Sequence, residues 1–134
     1  MRIILLLLAL QTLFSSVAFA QSLSKKDTLY IESVDFDIQT FTQISCDSFE
    51  NNFKGRVKVR FVDNRDTLSV LDHFLDKRKF ETKNRGIDVR AKFIYQMENT
   101  PAITICTNGY EVLVDGRLIK HNIKFADFLK SLTK

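Results

Sequence analysis

The sequence has 134 residues, of which 45% are hydrophobic and 27% charged, with four glycines, one proline and two cysteines. That is enough for one buried core and leaves no room for a collagen-like, low-complexity or disulfide-dense scaffold. Net charge is +4, and the cations form no concentrated stripe of the kind that binds nucleic acid.

Residues 1–20, "MRIILLLLALQTLFSSVAFA", place Arg2 before an apolar run from Ile3 to Leu10 and end on small residues at Ala18 and Ala20. This pattern predicts a secretory signal peptide cut before Gln21. Gln11, Thr12, Ser15 and Ser16 interrupt the run, which falls short of the roughly 20 apolar residues a membrane span needs. A periplasmic or secreted protein without a stable membrane anchor is therefore expected. Loss of Arg2 would leave 19 basic against 16 acidic side chains. Residues 21–27 read as a flexible polar lead-in and 28–134 as a single domain.

The first strand is expected in "LYIESVDFDI". Asp35 and Asp37 alternate there with Val34, Phe36 and Ile38, and they read as solvated rather than as an acid pair or cation site. In "QISCDSFENNF", Asp47 and Glu50 have the three-residue spacing of a capping box, which predicts a short helix over Ser48–Phe53. "RVKVRFV" at 56–62 alternates Val57, Val59 and Phe61 with Arg56, Lys58 and Arg60, predicting a strand with a basic outer face. "DTLSVLDHFLDKRKF" at 66–80 carries Leu68, Leu71 and Leu75 on one stripe with Val70 and Phe74 beside it. Asp66 is its expected cap, and Lys77, Arg78 and Lys79 suit the negative end of its dipole. His73 falls on its polar side.

"IDVRAKFIYQM" at 87–97 has a strict two-residue period, with Ile87, Val89, Ala91, Phe93, Tyr95 and Met97 on one face. Asn108-Gly109 between "AITICT" and "YEVLV" predicts a two-residue type I′ hairpin, because both central positions need positive φ. That turn would set Ile105 opposite Val112 and Ile103 opposite Val114. A loop at Glu98–Thr100 would set Phe93 opposite Ile105, and Asp115-Gly116 offers a further tight turn. Residues 87–120 thus read as a four-stranded antiparallel meander. The final segment, "NIKFADFLKSL", spaces Phe125, Phe128, Leu129 and Leu132 as an amphipathic helix capped by Asn122. The expected fold is α+β: the meander plus the earlier strands form an antiparallel sheet, with the two amphipathic helices on one face.

Carried to the opposite face, this register aligns Ile94, Thr104, Leu113 and Leu118 in one row and Lys92, Cys106, Glu111 and Lys120 in the next. Either the amino-terminal strand or its loop covers the apolar row as a second small core, or the row is exposed. If exposed, Ile94, Leu113 and Leu118, flanked by Arg90 and Lys92, form a candidate partner surface. Arg56, Lys58 and Arg60 beside Arg90 and Lys92 would repel one another, which suggests an acidic partner, although a solvated face is the simpler reading.

No glycine-rich phosphate loop, G-x-S-x-G, H-E-x-x-H or C-x-x-C is present, and no cofactor, metal or catalytic residue is expected. In an oxidising compartment Cys46 and Cys106 form a candidate disulfide. Its obstacle is geometric, since residues 43–47 must then run along the outer face. If instead Cys106 is free, it and His121 with a nearby carboxylate could form a thiol hydrolase set.

The carboxy-terminal half, with "IDVRAKFIYQ", "ITIC", "YEVLVDGRLIK" and the final helix, resembles a loose group of small exported bacterial α+β proteins without assigned activity, over residues 87–132. The resemblance implies a secreted α+β domain and carries no catalytic residues over. The leading expectation is a non-enzymatic binding module, such as an inhibitor, immunity-type protein or envelope adaptor, that engages another protein. A small thiol or acid-base hydrolase and a structural part of an envelope assembly are the alternatives.

Overall fold

A computed structural model describes residues 26–134; the expected signal peptide falls outside them. Of the expected lead-in, Lys26 Nζ lies 3.1 Å from Asp63 Oδ2, and Asp27 Oδ1 accepts from the Glu98 N–H.

Six strands form one antiparallel sheet: β1 (Thr28–Ser33), β2 (Lys58–Val62), β3 (Ala91–Gln96), β4 (Ile103–Thr107), β5 (Val112–Val114) and β6 (Arg117–Leu118), in the order β2-β1-β3-β4-β5-β6. Strands β3 to β6 are the expected meander. Among the described residues three helices accompany them: α1 (Phe49–Asn52), α2 (Arg65–Asp76) and α3 (Ile123–Ser131). No described helix is long and apolar enough to cross a membrane. The α+β architecture is as the periodicities predicted.

Both longer helices pack on one sheet face. Leu68, Leu71 and Leu75 of α2 and Phe125, Ala126 and Leu129 of α3 join Leu29, Ile31, Phe93, Tyr95, Ile105 and Val114 in the main core. Each fully buried Leu or Phe contributes about 2 kcal/mol of transfer free energy. Phe74 stacks on Phe125 at 4.9 Å, which joins the two helices, whereas Val70 faces solvent. Asn122 caps α3 as expected, but α2 begins earlier: the Asn64 side chain, not Asp66, accepts from Thr67 N–H.

Three further local expectations fail, each for a nameable reason. The β4–β5 loop spans four residues, because Asn108 Oδ1 accepts from the N–H groups of both Tyr110 and Glu111. Ile105 therefore faces Val114 rather than Val112. The slip is two residues, so no side chain changes face. The Asp115-Gly116 turn does form, with φ of 48° and 74°, and joins Val114 to Arg117. Second, the capping box is absent: α1 starts one residue later than Asp47 would place it, and Glu50 turns to Lys92.

Third, the period of 87–97 breaks at Arg90. Its N–H donates to Thr107 O, and Thr107 is already opposite Ala91. Two residues facing one make a β-bulge, which reverses the alternation. Ala91, Phe93 and Tyr95 therefore face the helices, while Ile87 and Val89 join a second core on the other face.

Candidate functional site

The register defines two rows across the outer face, the one away from α2 and α3. One runs Val59, Glu32, Lys92, Cys106, Leu113, Leu118; the other begins Phe61, Tyr30, Ile94, Thr104. Leu113 and Leu118 thus align with Lys92 and Cys106, not with Ile94.

Half of this face is covered. Val34, Ile44, Phe49 and Phe53, from the segment after β1, close over Cys106, Leu113 and Leu118 together with Ile87 and Val89. Leu113 and Leu118 are each 6% exposed. They are core residues and, contrary to expectation, form no part of an exposed partner surface. A disulfide between Cys46 and Cys106, with Cα atoms 6.0 Å apart, pins the cover to β4. Residues 43–47 do run along the outer face, which removes the geometric obstacle to that bridge. With Cys106 bonded and fully buried, the Cys106/His121 thiol reading fails; His121 lies exposed before α3.

Arg90 also leaves the surface. It is 6% exposed and donates to Ile38 O at 3.0 Å, to Thr40 Oγ1 at 3.3 Å, and to both Asp88 oxygens at 2.9 and 2.6 Å. Its guanidinium lies over Phe53. Burial works against the Asp88 anion, but the bonds from Arg90 and from Ile44 N–H outweigh it and lower the carboxyl's pKa. Arg90 therefore clamps the cover instead of meeting a partner. The five-cation face dissolves with it, since Lys58 and Arg60 share the helix-side face of β2 with Val62, and Lys92 points outward.

Lys92 sits at the edge of the cover, its Nζ 2.5 Å from Glu50 Oε1. Beside it, Tyr30 Oη donates to Glu32 Oε1 at 3.0 Å, while Glu32 Oε2 finds no donor among the described residues. Burial, then the facing Glu50 carboxylate, raise the Glu32 pKa against the opposing Tyr30 bond. Glu50 moves the other way, because Lys92 overcomes the burial cost. The two acids and one cation form a polar seam between the covered and open halves.

Beyond the seam the face is open and apolar. Phe61 is 72% exposed and Val59 53%; the Tyr30 and Phe61 rings lie 4.9 Å apart, with half-buried Ile94 next in the row. Of the expected surface residues, Ile94 alone belongs to this patch, with Lys92 at its rim. Val59 and Phe61 were expected on the inner face; on the edge strand β2 it is Val62 that reaches the core. Tyr30, in a strand expected from the sequence, had no assigned face. Among the described residues no group of three or more His, Cys, Asp or Glu is arranged to hold a metal ion. Asp35 and Asp37 lie exposed in the loop after β1, and Asp35 pairs with Lys58 at 2.8 Å.

Comparison with protein-family models, with curated proteins and with solved structures returns no match.

Proposed function

We propose that the chain is an exported, non-enzymatic protein-binding module of the inhibitor, immunity or envelope-adaptor kind, acting through the open half of its outer sheet face. The observation that carries this is the exposure of Val59 and Phe61 beside Tyr30 and Ile94. Large apolar side chains grouped on one side of a sheet, next to a charged seam, have the apolar-centre and polar-rim character of protein interfaces. The Cys46–Cys106 disulfide and the sequence of residues 1–20 support export.

The test is capture from the native envelope with wild-type and Phe61→Glu baits. The variant keeps its fold within about 0.5 kcal/mol, because the side chain is mostly solvated, and loses the partner that the wild type retains. A partner held equally by both baits contradicts this reading.

A further inference from the structure

The two edges of the sheet are finished differently. The segment after α2 closes the β6 edge: Glu81 N–H bonds Leu118 O, Lys120 N–H bonds Lys79 O, and Asn84 Oδ1 takes the Leu118 N–H. At the other edge, β2 pairs with β1 and, among the described residues, with no further strand.

The hydrogen bonds fix which β2 groups are free. Val34 N–H bonds Arg90 O toward β3, Arg90 N–H bonds Thr107 O, and Asp115 N–H bonds Thr104 O toward β5. In an antiparallel ladder these directions alternate residue by residue. Leu29, Ile31 and Ser33 therefore aim their main-chain groups at β2, where Val62, Arg60 and Lys58 answer them. The N–H and C=O groups of Val59 and Phe61 point out of the sheet. The same two residues carry the exposed apolar side chains, so one short strand offers both a pairing edge and an apolar face.

We infer that β2 accepts a seventh strand from an acidic segment of the partner, an inference that rests on the outer-face binding proposed above. Charge chooses the occupant. From Lys54 to Val62 the sequence has four cations and no acid. A second copy of β2, laid antiparallel about a two-fold axis at Val59, Arg60 or Phe61, sets Arg60 opposite or diagonal to a cation of that copy, which is unfavourable. An added strand in either direction places alternate side chains beside Val59 and Phe61 on the outer face and the intervening ones beside Lys58 and Arg60. The complement is an alternation of apolar and acidic residues. The Lys58 bond to Asp35 joins two exposed groups, so it is weak and yields readily to a partner carboxylate.

The experiment uses the protein without residues 1–20 and a fluorescent peptide of alternating glutamate and valine, about ten residues long. A peptide of alternating lysine and valine is the control. The glutamate peptide binds with an affinity that falls as salt rises and slows amide exchange at Val59 and Phe61 about tenfold. Arg56→Glu with Lys58→Glu weakens it about tenfold. Val59→Pro, which removes an outward N–H and leaves the β1 bonds intact, abolishes binding. If that variant does not fold, amide exchange in the unaltered protein decides alone. Equal binding of both peptides, or of neither, overturns the inference, as does dimerisation through β2 in the absence of peptide. Binding that perturbs Tyr30 and Ile94 without protecting the Val59 and Phe61 amides overturns strand addition while leaving face docking intact.

Discussion

Arg90 and Glu32 show how single side chains set the outer face. Arg90 lies at a bulge, and its bonds to Ile38, Thr40 and Asp88 hold the segment that covers half the sheet. A buried guanidinium is tolerable there because an anion and carbonyl oxygens surround it. Glu32 lies at the seam with its carboxyl pKa raised by burial and by Glu50. A carboxyl whose folded-state pKa lies above its unfolded value adds stability that is complete below the unfolded value and is lost as pH rises through the folded one. Glu32→Gln keeps an acceptor for Tyr30 and gives Glu50 a permanent donor. Urea midpoints measured across pH should therefore show the variant gaining on the wild type as pH rises from acid to neutral, and the gain should vanish in acid. The alternation of 87–97 made Arg90 readable as a surface cation, since a bulge leaves no mark in a two-residue period.

At the scale of elements, turn chemistry told more about which strands join than about how they register. Asp115-Gly116 forms a two-residue turn, as its dipeptide predicts. Asn108-Gly109 does not, because the Asn108 side chain captures two loop amides and lengthens the turn. Face assignments in the meander survived, since the slip is even. The face of β2 did not: periodicity separates two sets of side chains without saying which is covered, and at an edge strand little covers either. The disulfide is the element-scale link between cover and sheet. Closing a 60-residue separation stabilises by about 4 kcal/mol in the chain-entropy model. Replacing Cys46 and Cys106 together by Ala should lower the unfolding free energy by about that amount. Amide exchange should rise over residues 44–53 first, while α2 and α3 keep their protection, because the helix-side core shares no buried residue with the cover.

The whole molecule is a sheet with a complete core on one side and half a core on the other. Its antiparallel meander and its two packed helices were legible because sustained periodicity and caps such as Asn122 are local signals. The cover was legible only as one of two alternatives, since the contacts of Val34, Ile44, Phe49 and Phe53 with Leu113 and Leu118 are long-range. What the cover leaves bare is the face proposed above for binding: Tyr30, Val59, Phe61 and Ile94, bordered by an edge that no other described strand pairs. The most direct test is residue-resolved amide exchange of the protein alone and in complex with the partner captured by the wild-type bait. New protection should centre on β2 and reach Tyr30 and Ile94. Protection confined to the 34–57 cover or to α2 and α3, with β2 unchanged, would contradict it.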